Sequence, residues 1–246
     1  MKKSPSVANN LFESLLGLIH PLVIYSGHKE YPYWGVGTAF TAEWRGHIYL
    51  ISAKHIWVNQ NTNPQHIRVF LRTSGLEIRF DREAIMRDDF EPSQDLLVMR
   101  IYPEDVGLLS DNGLNWIDIG YTIDDNASEE DKSYCVLGYP DSHRSYDYNE
   151  KQFSASLGVL FGKRITPQIA DLESLRITTT DNKCLRGYSG SPVVRYADGQ
   201  MEFSGMVIAG SGVSGVINYI PAQFIAELLY DIDNLERGGV LLPPEL

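Results

Sequence analysis

The chain has 246 residues, 43% of them hydrophobic and 11% aromatic, which is enough to bury a sizeable core and too apolar for a disordered polymer. A formal net charge of -11 and an isoelectric point near 5.0 create a field that repels phosphate backbones and anionic lipid, so neither nucleic acid nor a membrane is an expected partner. Only two cysteines, Cys135 and Cys184, occur, and neither belongs to a CxxC or Cys/His grouping. With no clear signal peptide and no apolar run of membrane-spanning length, the expected location is a reducing, cytoplasmic one.

Residues 11–19 place apolar side chains at helical spacing behind Asn9 or Asn10 as a cap, predicting a short helix within an extension over 1–20. From Leu22 the pattern changes to short β-rich segments at 22–25, 36–41, 47–51, 67–71, 76–80 and 96–101, separated by Gly, Asn, Pro and Asp. Residues 103–132 are acidic and turn-rich and read as a solvated connection. A second β-rich series follows at 133–137, 153–161, 175–179, 192–195, 201–208 and 213–219, and helical spacing returns over 222–235. The fold class expected is all-β: a first barrel over 21–110, a second over 111–221, and a C-terminal helix and tail over 222–246.

One turn stands apart. Gly187-Tyr188-Ser189-Gly190-Ser191-Pro192 holds a serine between two glycines, and glycine tolerates positive φ, so the turn can expose a hydroxyl beside its neighbouring N–H groups. A plain Gly/Ser/Pro turn is the other reading. Serine is a weak nucleophile at neutral pH and needs a base that a third group orients. Five of the six histidines have simple local settings: His20 before Pro21, His28 in a polar turn, His47 opening a strand, His66 after Asn63-Pro64-Gln65, and His143 in a loop. His55 differs, because the run Tyr49-Leu50-Ile51-Ser52-Ala53 ends in small residues and delivers the imidazole at its tip; a histidine capping a helical turn reads the same way. Asp95 stands immediately before the apolar run Leu96-Leu97-Val98-Met99, where a partly buried charge needs a donor such as an imidazole N–H, unless it is an ordinary turn residue.

Together, His55, Asp95 and Ser189 follow the chain order His, Asp, Ser, and the sequence around them resembles the trypsin-like (chymotrypsin-fold) serine peptidases. Ile51-Ser52-Ala53-Lys54-His55-Ile56 is similar to that family's Thr-Ala-Ala-His stretch, the segment from Asp95 to its Asp-Ile-Ala-Leu-Leu strand, and Gly187 to Pro192 to its Gly-Asp-Ser-Gly-Gly-Pro. Gly35-Val36-Gly37-Thr38-Ala39-Phe40 is similar to the glycine-rich strand ahead of the histidine, and Gly138-Tyr139-Pro140 to a motif of the second barrel. Tyr219-Ile220-Pro221 resembles the bacterial HtrA-like branch, here without the PDZ domain that branch often carries. The resemblance spans roughly residues 22–235.

The resemblance implies two six-stranded antiparallel β-barrels with the active site between them and no metal or cofactor. It implies Ser189 as nucleophile, His55 as base, Asp95 as orienting acid, and an oxyanion hole from the Gly187 and Ser189 N–H groups, acting on a polypeptide substrate. Lys183, Val207, Ile208, Ala209 and Gly210 are the expected substrate-binding residues; Lys183 either favours an acidic side chain or is a solvated turn lysine. Tyr188 stands where secreted relatives carry an acid that pairs with a new N-terminus, and no Arg-Ile-Val-Gly-Gly start is present, so activation by that route is not expected. Cys184 is one residue too far from Ser189 for the family disulfide, so both thiols are expected to be free. Two further readings stay open: a pseudo-protease scaffold, and a protease of a bacterial stress or defence system that an activating protein partner switches on.

Overall fold

A computed structural model of the chain describes residues 15–58, 66–72, 74–80, 92, 95–119, 133–150, 152–179, 184–197 and 200–236. The expected helix over 11–19 and the tail after 236 lie largely outside these residues. Residues 15 and 16 are helical, but β1 (Ile19–Tyr25) already begins at Ile19, three residues before the apolar run predicts. Gly17 breaks the helix at a tight contact, since a Cβ there would stand 1.9 Å from the Gly113 carbonyl oxygen.

The first unit is a curled antiparallel sheet. Its strands are β1, β2 (Tyr33–Trp44), β3 (His47–Ala53), β4 (Ile67–Val69) and β5 (Leu96–Arg100), in the order β4-β1-β2-β3-β5. The β2–β3 hairpin turns on Arg45-Gly46, both with positive φ (51° and 84°), the two-residue geometry that suits the twist of its strands. Residues 37–42 of β2 are buried in succession without alternation, because one face meets the sheet's own core and the other meets the second unit. Small residues there, Gly37, Thr38, Ala39, Thr41 and Ala42, permit that approach.

Among the described residues this sheet is a half-barrel rather than a closed one. The segment expected as a strand over 76–80 forms only isolated bridges, Phe70 with Glu77 and Phe80 with Ile101, so among the described residues no ladder joins the two edges. A second departure lies in the connection read as acidic and irregular, which contains a helix, Pro103–Asp111. Its proline at the first turn, with Glu104 and Asp105 behind it, is the expected start of a helix, where the missing proline N–H costs nothing and the acids face the positive end of the dipole. Its C-terminal side adds a short strand, β6 (Ile117–Asp118), parallel to β2.

The second unit closes. β7 (Tyr134–Gly138), β10 (Gly158–Ile165), β11 (Glu173–Ile177), β12 (Pro192–Ala197), β13 (Gln200–Ser211) and β14 (Val216–Pro221) form a barrel in the order β10-β11-β14-β13-β12-β7. Closure removes the unpaired edges that an open sheet would present. The strand expected over 153–161 is broken at 156–157 and supplies both β10 and β9 (Gln152–Ala155), which pairs with β8 (Arg144–Asp147) in a hairpin outside the barrel.

The helices are α1 (His55–Val58), α2 (Pro103–Asp111) and α3 (Ala222–Glu236). Ile225, Leu228, Leu229 and Ile232 recur at helical spacing on α3 and are buried in the same cluster as Phe40, Leu50 and Val98. The cluster also takes in Phe203, Met206 and Ile208 of the second unit, and the rings of Phe40 and Phe203 lie 5.3 Å apart. The two units thus share an apolar core rather than a wetted seam. No helix among the described residues is long and apolar enough to cross a membrane.

Candidate active site

Strand register brings His55 and Asp95 together. Ala53 lies opposite Leu96 in the β3–β5 ladder, so the end of one strand and the start of the other share an edge, and the Lys54 N–H donates to the Asp95 carbonyl at 3.2 Å. The Asp95 carboxylate then receives two groups from one residue. The His55 backbone N–H donates to Oδ1 at 2.7 Å, and the ring Nδ1 lies 2.5 Å from Oδ2. A ring tied down on that side presents its other nitrogen as an acceptor. That nitrogen, Nε2, is 3.1 Å from Ser189 Oγ.

Ser189 is held by a turn in which almost every polar backbone group is committed. Gly187 and Gly190 have φ of 91° and 81°. A Cβ on Gly190 would meet the Thr38 carbonyl oxygen at 2.0 Å, so position 190 admits only glycine without a backbone shift. The Arg186 carbonyl accepts from the Asp141 N–H (3.0 Å), the Tyr188 carbonyl from the Ser191 N–H (2.9 Å), and the Ser189 carbonyl from the Thr38 N–H (3.0 Å). The Gly190 N–H donates to Val207 at 2.8 Å. Two N–H groups are left over: among the described residues, those of Gly187 and Ser189 donate to no protein acceptor. In a trans peptide the N–H points opposite to the carbonyl, so anchoring the Arg186 and Tyr188 carbonyls turns both donors to the other side.

Residues without a role assigned from sequence complete the support. The buried Thr38 hydroxyl accepts from the Tyr139 N–H at 2.9 Å and donates to the Gly187 carbonyl at 2.9 Å, while the Ser52 hydroxyl donates to the Thr38 carbonyl at 2.7 Å. Arg144, on β8, donates to the carbonyls of Gly37, Tyr139 and Gly187 and to the Asp141 carboxylate. Burial holds its pKa below the usual guanidinium value, with the Asp141 charge opposing that shift. The only sequence signals were the placement of Thr38 in the Gly35–Phe40 stretch and of Arg144 at the end of a polar loop.

Tyr188 has a plain structural role. Its ring is fully buried among Tyr134, Val136, Leu160 and Tyr219, in space left by two glycines: a Cβ on Gly158 would lie 2.3 Å from the Tyr188 hydroxyl oxygen, and one on Gly138 3.0 Å from the ring. The position carries an apolar anchor for the turn, where an acid would have no place.

The expected substrate-binding residues divide. Lys183 lies outside the described residues. The Val207 and Ile208 side chains are buried in the barrel core and the shared core, while Ala209 and Gly210 are exposed. Gly210 meets Leu185 on its inner side, where a Cβ would come 3.2 Å from Leu185 Cδ1. β13 pairs with β12 only as far as Met206 and with β14 through Ser211, so, among the described residues, positions 208–211 keep one strand edge unpaired beside the serine turn. Both cysteines are free, and burial pushes the Cys135 thiol up to about 12, which disfavours the thiolate.

The arrangement brings together a hydroxyl, a base within reach of it, an acid that orients the base, and two unengaged N–H donors close to the hydroxyl. That set suits nucleophilic attack with stabilisation of a developing oxyanion. Comparison of the sequence with protein-family models gives no match, and comparison with curated protein sequences gives none.

Proposed function

We propose that the protein is a serine endopeptidase of trypsin-like fold that cleaves polypeptides through Ser189, His55 and Asp95. The observation that carries the reading is the continuous chain from Asp95 through the His55 ring to Ser189 Oγ, at 2.5 and 3.1 Å, beside the two unengaged amides. Ser189 Oγ attacks the scissile carbonyl carbon as His55 Nε2 takes its proton. The carbonyl oxygen becomes an oxyanion, which the Gly187 and Ser189 N–H groups bind. Collapse of the intermediate expels the amine, which leaves with the proton from His55 and leaves an acyl group on Ser189. Water, deprotonated by the same imidazole, attacks the ester; the second oxyanion collapses and regenerates Ser189. Asp95 keeps the ring in the right tautomer and stabilises the imidazolium.

An extended substrate is the form that fits. The unpaired edge of residues 208–211 offers backbone groups to a polypeptide strand, the mode by which a sheet edge recognises peptide without regard to most side chains. The test is a fluorophosphonate probe on the native protein. Labelling that disappears in Ser189→Ala supports the reading, labelling that needs an added protein favours the partner-activated form, and absence of labelling under every condition overturns it.

A further inference from the structure

We propose that Arg144 is a positioning residue that keeps the Gly187 N–H aimed at the oxyanion site, as a fixed strut built into the resting fold. The inference rests on the peptidase reading and concerns how its oxyanion hole is held. The Gly187 N–H turns with the Arg186–Gly187 peptide, and the φ of Gly187 is fixed jointly by that peptide and the one that follows; Arg144 acts on both. On the following side, its Nη2 lies 3.4 Å from the Gly187 carbonyl oxygen, reinforcing the Thr38 hydroxyl. On the preceding side, its Nη1 donates to Asp141 Oδ1 at 2.8 Å, and the Asp141 N–H is the group that holds the Arg186 carbonyl. The remaining bonds of Nη2, to Gly37 at 3.0 Å and to Tyr139, tie the guanidinium to both units at once.

The placement is a costly one for simple stability. The Arg144 side chain is 7% exposed, and among the described residues its Nε has no hydrogen-bond partner and its one counter-charge, Asp141, is 41% exposed. A neutral side chain would fill the space at less desolvation cost, whereas carbonyls from three separate segments can be gathered only by a planar, multi-donor cation. Tyr188, beside the serine, is committed to the barrel core, and the strut approaches from the β8–β9 hairpin.

The experiment combines an activity readout with one that needs no activity. Arginine labelled at its carbonyl carbon and glycine labelled at nitrogen pick out the three Arg-Gly pairs, Arg45-Gly46, Arg186-Gly187 and Arg237-Gly238. In Arg144→Gln the Gly187 amide resonance is expected to move or split while that of Gly46 stays. In parallel, kcat is expected to fall about 100-fold, as for loss of one oxyanion donor, with KM nearly constant, and affinity for a peptide boronate should fall with kcat. Arg144→Lys should recover part of each effect. A folded Arg144→Gln with an unmoved Gly187 resonance and unchanged boronate affinity overturns the proposal. A wild-type protein that neither turns over peptide nor binds boronate, but whose Gly187 resonance depends on Arg144, keeps the strut and removes the peptidase reading. Should Arg144→Gln not fold, Asp141→Ala removes the acceptor of Nη1 at an exposed position, keeps the residue-141 N–H, and must move the same resonance; an unmoved one overturns the proposal.

Discussion

The two β-units reach the same site by opposite means. The first is a curled half-barrel sheet with a large aliphatic core and α3 packed against it, and it supplies its site residues from strand ends, where β3 runs into His55 and Asp95 runs into β5. The second is a closed barrel with a smaller core in which three tyrosines, Tyr134, Tyr188 and Tyr219, take part, and it supplies Ser189 from a glycine-bounded turn ahead of β12. In the first, regular ladder hydrogen bonds position the side chains. In the second, the chain leaves the ladder, and its carbonyls must be caught one at a time by Thr38, Asp141 and Ser191. The contrast predicts that chemistry can be removed from the first unit without loss of fold, whereas the turn of the second cannot be altered without strain.

The largest effect expected is on catalysis, through Asp95→Asn. The Lys54 N–H still finds the residue-95 carbonyl, so the ladder survives, but an amide cannot accept from both the His55 backbone and Nδ1 as the carboxylate does. If the peptidase reading holds, kcat falls by about 10⁴ with the unfolding midpoint nearly unchanged. A loss of only about tenfold would remove Asp95 from the orienting role.

Next comes a pair of glycines that differ only in surroundings. Gly46 and Gly190 have nearly equal φ, 84° and 81°, but a Cβ on Gly46 meets nothing within 4 Å, while one on Gly190 meets the Thr38 carbonyl at 2.0 Å and Ser52 Oγ at 2.4 Å. Gly46→Ala should cost about 1 kcal/mol for the left-handed backbone alone, and Gly190→Ala at least about 3 kcal/mol because backbone must also shift. Urea unfolding of both variants measures the difference, and equal costs would mean that the serine turn is no tighter than an exposed hairpin.

What could be read from the sequence was what is local. The strand series, the C-terminal helix and the three residues His55, Asp95 and Ser189 each sit in a short pattern with its own physical reason. The helix at Pro103 was also legible, but its acids were read as solvation rather than as a first turn. Thr38 and Arg144 were not legible, because their roles exist only as contacts to Gly187 across 149 and 43 residues of chain. The half-barrel form of the first sheet was less legible for a related reason: alternation over 76–80 specifies an extended segment, while a ladder needs a partner in register, and among the described residues this segment makes only single bridges.

A smaller effect follows from His20, which is buried where β1 crosses β2. Among the described residues it has only a 3.5 Å contact to the Thr41 hydroxyl and no partner for Nδ1, and burial lowers its pKa from 6.5 to about 3. The folded state therefore holds a neutral ring, while the unfolded chain takes up a proton as pH falls through 6.5. The stability associated with this site is complete above pH 6.5 and declines by about 1.4 kcal/mol per unit until about pH 3. Between pH 7 and 5 that amounts to about 2 kcal/mol, which His20→Leu should remove from the difference between urea titrations at the two pH values. An identical pH dependence in the variant would show that His20 has access to water in the folded state.

The smallest effect tests the joint between the units. Thr38→Val keeps shape and β-propensity but deletes the hydroxyl that serves Tyr139 and Gly187 together. The Tyr139 N–H loses its acceptor inside the protein, and the Gly187 carbonyl retains only the longer contact from Arg144. Net loss of such bonds is worth about 1–2 kcal/mol, part of it in stability and part in the aim of the Gly187 amide. On the peptidase reading, kcat/KM should fall about tenfold, with the larger share in kcat. Combined with Arg144→Gln, the loss should be less than the product of the two single effects, because both side chains restrain the same carbonyl. Multiplicative losses would instead mean that Thr38 acts on the seam between the units and Arg144 on the turn, independently.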